Sequence, residues 1–430
     1  MQDLSRTRRL AVLYPKAIGD LYFALPALHT LRRACPGLHI TLVVKQKQAP
    51  LALPQKGFLA DEVLVLGGDN GCLDVRRQLA ALKVDTLLDL AGNDQAGLLM
   101  TGRRGRRLRP HRADCKGMCA LYSPFAESLP RLVPGRHRVD ELLAFVRALV
   151  DAEPVYTFHL ELPSQAVEEC ERMIAEHDLR SGKVVVLNIG ASRDTKRWPA
   201  VHFQALAQRL IARGYRVVLT GAAAFKADGD YDRLTVARFS AEGLIDGVKC
   251  IDLVSDNGLP PALHLQRDVH FLRYANVAQV VVGNDTGPMH MAGSVGEDAC
   301  NRTISLFGPT NWGRYAPFDP SRHFPQKPAG RWNRVLCINA DCGPAGHSHD
   351  GHQSAEIPAE AGTTNTVPAG SAAFVVPPSG GSAQNENSIG PAGTAEACDC
   401  YRRGCAHKKC MATLSPEAVF DSITSILEAS

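Results

Sequence analysis

Gly283-Asn284-Asp285-Thr286-Gly287-Pro288-Met289-His290 directly follows the apolar, β-branched run Val280-Val281-Val282. That run reads as a buried strand of a parallel sheet. Pro288 suits the first turn of a helix, which the small and apolar residues from Met289 to Val295 continue. A strand that passes through a glycine-bounded turn into a helix presents unpaired N–H groups and the positive end of a dipole. Such a turn suits phosphate or pyrophosphate. Asp285, Thr286 and His290 place polar side chains at its rim, although an ordinary turn capped by Asp285 would use the same residues.

Outward from this stretch the chain repeats one unit, a strand, a loop and a helix. Towards the N-terminus, Leu10–Tyr14 is a strand, Pro15–Asp20 a loop, and Leu21, Ala24, Leu25 and Leu28 the apolar face of a helix that Pro36-Gly37 closes. Strands follow at Ile40–Val44, Val63–Leu66 and Thr86–Leu90, and a helix over Asp140–Val150 with a connecting strand over Asp151–Leu162 ends the unit. A second series begins with the strand Val184–Leu187 and the loop Asn188–Pro199. It continues through the strands Arg216–Leu219 and Cys250–Leu253, a helix around Asp268–Ala275, and Thr303–Leu306. Repeated strand–helix alternation predicts parallel sheets covered by helices, with ligands at the carboxyl ends of the strands. The divisions are 1–163, 164–342, a Gly-, Pro-, Ala- and Ser-rich segment 343–397 expected to be a disordered insertion, and a Cys-rich segment with a final helix, 398–430.

Bulk properties narrow the class. The 430 residues accommodate two cores, and 45% hydrophobic with 21% charged residues is a globular composition. A formal charge of +4 is too small to imply nucleic acid. No apolar run approaches the ~20 residues of a membrane span, and the N-terminus leads into a strand without a signal peptide. The 13 cysteines, an odd number, suit reduced thiols in the cytoplasm. Arg103-Arg104-Gly105-Arg106-Arg107-Leu108-Arg109-Pro110-His111-Arg112 is the most basic stretch. It is either a solvated loop or a contact for phosphates and acidic sugars at a membrane surface; without interleaved aromatics it does not suit nucleic acid.

Five stretches together resemble the ADP-heptose:lipopolysaccharide heptosyltransferases, glycosyltransferase family nine. They are Ala17-Ile18-Gly19-Asp20 with Leu25-Pro26-Ala27-Leu28; Asn188–Ser192; Lys196-Arg197-Trp198-Pro199; Gly283–His290; and Phe307-Gly308-Pro309-Thr310. Cys410-Met411 with Pro416–Val419 is similar to the family's C-terminal helix. The resemblance implies an α/β GT-B fold, two Rossmann-like domains facing across a cleft, the first for the acceptor and the second for the nucleotide sugar. It also implies inverting transfer of heptose from ADP-heptose to a lipid A–Kdo type acceptor of the inner core, with no cofactor or metal, in the cytoplasm or peripheral to the inner membrane.

The resemblance gives the matched residues roles. Asp20, after the flexible Gly19, is the candidate base for the acceptor hydroxyl, although an Asp before an apolar helix also serves as its cap. Lys196 would stabilise charge on departing ADP, with Arg197 a neighbouring cation of the same kind. Thr286 and Gly287 would bind pyrophosphate through backbone N–H groups with His290 beside them, and Asp285 would hold a sugar or ribose hydroxyl. Asn188 and Ser192 complete the nucleotide-sugar set. Arg103, Arg104, Arg106 and Arg107 are assigned to the acceptor on their charge and place instead: their loop follows the strand Thr86–Leu90 in the domain of Asp20, which would bring it toward the acceptor side of the cleft, and arginine forks suit phosphates and carboxylates.

The chain departs from the family pattern at Asp256–Pro261, at the insertion 343–397, and in the late cysteines Cys337, Cys342, Cys398, Cys400, Cys405 and Cys410. Four thiolates can hold zinc or iron, but the Cys-Xaa-Cys spacing and the insertion favour free thiols. Two other functions share these motifs. One is a transferase with a protein or other glycan acceptor. The other is a non-catalytic nucleotide-sugar-binding protein, against which Gly19-Asp20 and Lys196 speak.

Overall fold

The computed structural model describes residues 3–102, 105–111, 126–133, 136–221, 229–255, 258–294, 302–308, 310–318, 333–338, 373–376 and 409–428. The first domain carries six strands: β1 (Arg9–Leu13), β2 (His39–Lys45), β3 (Glu62–Leu66), β4 (Thr86–Asp89), β5 (Arg106–Arg109) and β6 (Glu127–Ser128). All pair in parallel in the order β3-β2-β1-β4-β5-β6. Its principal helices are α1 (Ile18–Ala34), α2 (Cys72–Ala81), α3 (Asp94–Met100) and α4 (Arg138–Arg147). Near-continuous apolar strands such as Leu10–Leu13 are buried because helices cover both faces.

The second domain repeats the plan. After α5 (Ser164–Glu176) come β7 (Val184–Asn188), α6 (Ala200–Ala212), β8 (Arg216–Thr220), α7 (Gly229–Ala241), β9 (Cys250–Asp252), α8 (Pro261–Arg273), β10 (Ala278–Asn284), α9 (Gly287–Gly293), β11 (Arg302–Phe307) and β12 (Asn333–Ile338). The strand order β12-β11-β10-β7-β8-β9 is that of the first sheet. β13 (Ala373–Val376) pairs antiparallel on the outer edge of β12. It comes from the segment expected to be a disordered insertion, so that expectation does not extend to these four residues; the rest of 343–397 lies outside the described residues. The last helix, α10 (Pro416–Glu428), buries Val419, Phe420, Ile423 and Ile426 in the second core with Phe203 and Leu206 of α6.

In each sheet the strand order reverses at one crevice, between β1 and β4 and between β7 and β10. Open α/β sheets bind ligands outside the carboxyl ends of strands at such a switch point. The two crevices face each other where α1 meets α9, and a Cβ on Gly19 would lie 2.8 Å from Gly287 Cα. A side chain there would separate the two domains. That is the structural reason for glycine at position 19.

Two expectations are corrected. The segment Asp151–Leu162 is not a strand, because its polar groups are met by side chains: Val155 N–H donates to Thr30 Oγ1 (2.9 Å) and Leu160 N–H to Tyr274 Oη (3.0 Å). Nor are Arg106 and Arg107 in a loop at the cleft. They open β5 at the level of Thr86 and Leu87, the amino end of the sheet, opposite the crevice. Arg106 is bound by the Glu127 carboxylate through two 2.8 Å hydrogen bonds, which raise its pKa further above the ordinary arginine value. Neither residue lies where an acceptor in the crevice would meet it. Arg103 and Arg104 lie outside the described residues.

Candidate functional site

On the second domain, β10 ends at Asn284 and α9 starts at Gly287, with Thr286 in the N-cap position. Gly283 has no room for a side chain: a Cβ there would sit 2.8 Å from both Asn188 Cβ and Met289 Sδ. This close approach lets β7 and β10 run side by side to the site. Asn284, for which the sequence suggested no role, locks it. Its Oδ1 accepts from Trp198 N–H (2.9 Å), and its Nδ2 donates to the carbonyls of Ile189 and Gly190 (3.1 Å each). One fully buried amide thus ties the Asn188–Trp198 loop to the Asp285 turn.

Asn188 and Thr286 join the same network. Thr286 Oγ1 donates to Asn188 Oδ1 (3.1 Å), and Asn188 Nδ2 donates to Thr220 Oγ1 (3.1 Å). Ser192 lies exposed in the loop between them and Lys196. The side chain of Lys196 reaches across to Asp285, with Nζ 2.5 Å from Oδ2 and both groups buried. Arg197 turns back on its own loop, donating to the Ala191 carbonyl and to Asp194 Oδ1, so Lys196 is the cation that enters the site. Asp285 therefore does not cap α9; its carboxylate is the counter-charge of Lys196. The same Nζ also donates to the Asp285 carbonyl at 3.5 Å, so the lysine is fixed on the turn by two oxygens of one residue.

His290 faces Asp285 with Nε2 3.7 Å from Oδ1, and its ring stands 4.5 Å from that of Phe23 of α1. Burial lowers its pKa to about 4; Asp285 opposes that shift and Lys196 adds to it. The imidazole is neutral at ordinary pH. The native pKa lies below the unfolded one, so the unfolded chain takes up a proton first. The stability linked to His290 is thus complete above about pH 6.5 and lost as pH falls towards 4. Urea titrations at pH 7 and pH 5 should show a loss of about 2 kcal/mol attributable to this group, absent in His290→Gln. An equal loss in the variant would assign the slope to other residues.

On the first domain, Asp20 stands at the third position of α1, half-buried, its Oδ2 accepting Ala17 N–H at 3.1 Å. Ala17, not Asp20, is the N-cap residue. One carboxylate oxygen fastens the loop to the helix, which leaves the other to take a proton. Asp89 closes β4 in the same crevice, accepting the N–H groups of Ala91 and Gly92 (2.8 Å each), and burial raises its pKa to about 6. Asn93 caps α3 and holds the Pro15 carbonyl at 3.0 Å. Arg138, at the start of α4, donates to Glu141 Oε2 (2.9 Å) and to the Leu90 carbonyl (3.1 Å). Sequence reading missed Asp89, Asn93 and Arg138 because no spacing rule connects loops that only the sheet brings together.

Gly19, Asp20, Lys196, Asp285, Thr286, Gly287 and His290 therefore gather where the two crevices meet, with Asn188 behind them. Ser192 lies at the edge, and Arg106 and Arg107 lie elsewhere. Among the described residues no group of three or more His, Cys, Asp or Glu could hold a metal ion. Of the late cysteines, Cys342, Cys398, Cys400 and Cys405 fall outside the described residues. No helix of the described residues is long and apolar enough to cross a membrane.

Comparison with known proteins bears on this site. A model of glycosyltransferase family 9 (heptosyltransferase) matches residues 73–327. The chain is 34% identical over 116 residues to lipooligosaccharide heptosyltransferase 2 of Haemophilus influenzae, covering 27% of this chain and 28% of the relative. It is 32% identical over 117 residues to lipopolysaccharide heptosyltransferase 2 of Escherichia coli strain K12, again covering 28% of the relative. The chain thus aligns with under a third of the length of these curated relatives. Among solved structures it is similar to the glycosyl transferase family 9 from Veillonella parvula (TM-score 0.57, 24% identity, 72% of this chain and 83% of that one). It is also similar to E. coli ADP-heptose lps heptosyltransferase II (TM-score 0.60, 16% identity, 98% and 99%). These likenesses establish the fold as GT-B.

Proposed function

Since the chain belongs to glycosyltransferase family 9, the heptosyltransferases, we propose that it transfers a heptose from ADP-heptose to a sugar of the lipopolysaccharide inner core with inversion at C1. The observation that carries this reading is the meeting of the two switch points, which sets Asp20 of one domain against the Lys196–Asp285 pair and the α9 turn of the other. In the reaction, the acceptor hydroxyl attacks C1 on the face away from ADP and its proton passes to the Asp20 carboxylate. The bond from C1 to the phosphate oxygen breaks, and ADP leaves with the electron pair. Lys196 and the backbone N–H of Gly287 stabilise the developing phosphate charge. His290, neutral and buried, lines the space without adding charge. The acceptor enters on the first domain, and a lipid-linked acceptor would bring the protein to the cytoplasmic face of the inner membrane.

The test is to incubate purified protein with ADP-heptose and a panel of truncated lipid A–Kdo acceptors. The expected result is one acceptor gaining the mass of one heptose, with stoichiometric ADP. ADP release without a heavier acceptor, or no reaction with any acceptor, would overturn the reading.

A further inference from the structure

The second domain sends one short segment into the first. Residues 311–318 follow closely on β11, at the carboxyl end of the nucleotide-side sheet. Yet Phe318 is fully buried in the core of the first domain. Its ring stacks on Tyr156 (5.6 Å, 11° between planes) and also meets His137 and Phe158. The strap is held at two further points. His137 Nδ1 accepts Val139 N–H, which leaves the proton on Nε2, and Nε2 donates to the Ala316 carbonyl at 2.8 Å. Arg314 Nη2 donates to Glu141 Oε2 at 2.8 Å, the same oxygen that takes Arg138 Nη1 at 2.9 Å.

Glu141 is 4% exposed, so its charge is deeply desolvated, and it accepts one arginine from each domain. Arg138 in turn holds the Leu90 carbonyl, just after β4 at the crevice. Tyr315 of the strap lies 6.3 Å from the Phe23 ring, and Phe23 sits three positions beyond Asp20 on α1. On the first domain the strap meets α1 at Phe23, α4 at Glu141 and its cap His137, and the segment that carries Tyr156 and Phe158; on the second, Phe318 N–H donates to Ser294 Oγ at 3.3 Å. The strap's own root is at the nucleotide side.

The geometry points to Arg314 as a positioning residue for the transfer: through Glu141 it clamps the strap 311–318 to the first domain and fixes Asp20 at its working distance from the donor. This inference rests on the reading of Asp20 and Lys196 given above. Arg314 touches no reacting atom and acts through Glu141 and Arg138. Its loss should therefore leave donor binding, a property of the second domain, in place while slowing the step that needs both domains together.

The experiment compares the full chain with Arg314→Gln and Arg314→Lys. For Arg314→Gln, kcat should fall about tenfold while KM for ADP-heptose stays within about twofold, as expected for loss of one charge-assisted bond used at closure. Arg314→Lys should recover part of the loss, because an ammonium keeps the charge but not the fork. Small-angle scattering should show Arg314→Gln more extended than the parent, with and without ADP. Arg314 is partly exposed, so the melting temperature should change by no more than about 2 °C. A kcat within twofold of the parent together with an unchanged scattering profile would overturn the clamp, as would equal loss in Lys and Gln variants. If the parent itself transferred no heptose, the functional reading would fall, and the scattering comparison would still decide whether the strap holds the domains.

Discussion

Asp20→Asn is expected to lower heptose transfer by ~10²–10⁴-fold while the affinity for ADP-heptose stays close to that of the parent. The structure makes this substitution discriminating. Asp20 fastens the Pro15–Asp20 loop by accepting Ala17 N–H at 3.1 Å, and an asparagine carbonyl oxygen can accept the same bond. The start of α1 and its approach to Gly287 should therefore survive. What the amide cannot do is receive the proton of the attacking hydroxyl. An Asp20→Ala variant separates the two roles further, since it also removes the loop bond and should cost about 1 kcal/mol of stability that Asp20→Asn keeps. Initial rates of ADP release and calorimetric titration with ADP measure the two quantities. If Asp20→Asn retained more than half of parental turnover, the residue would be a fastening of the helix and the base would lie elsewhere.

The second large effect is expected at Lys196. Lys196→Ala should weaken ADP binding and turnover together, because an ammonium beside the phosphates acts in the ground state and the transition state alike. It should also destabilise the protein. The carboxylate of Asp285 is almost wholly buried and 2.5 Å from Lys196 Nζ, so removing the lysine leaves a buried charge without its partner, at a cost of roughly 3–5 kcal/mol. The double variant Lys196→Ala, Asp285→Asn removes that unpaired charge. Its melting temperature should return towards the parent's, with ADP affinity still low. Recovery of both would mean that Lys196 serves only to neutralise Asp285, and unchanged ADP affinity in Lys196→Ala would move the nucleotide site elsewhere.

Much of this site was legible in the sequence because its carriers are local. Val280–Val282, the glycine-bounded turn and Pro288 specify a strand, a turn and a helix within a dozen residues, and the structure has them so. The side-chain partners were not legible. Lys196 and Arg197 are adjacent cations, and only the fold shows that Arg197 returns to Ala191 and Asp194 while Lys196 crosses to Asp285. Asn284 lay inside the stretch that decided the fold. Yet an amide can cap, bind a ligand or brace a loop, and nothing in its neighbours distinguishes these. The Arg106–Arg109 stretch misled for the opposite reason. Consecutive arginines suggest a solvated loop, whereas pairing with β4 and burial of Leu108 make a strand of them. Contacts such as Glu141 with Arg314 join residues far apart in sequence, and no periodicity encodes them.

The placement of Phe318 bears on how the chain reaches its native state. Synthesis proceeds from the N-terminus, so β1 to β6 and α4 exist well before the residue that completes their core. Until then Tyr156, Phe158 and His137 lack the ring they pack against in the finished structure. Supplying it requires a contact of long sequence separation, the kind that forms late because a large loop must first be ordered. The first domain is therefore a dependent half. It gains its final packing only as the second domain is assembled, and the two mature as one cooperative unit.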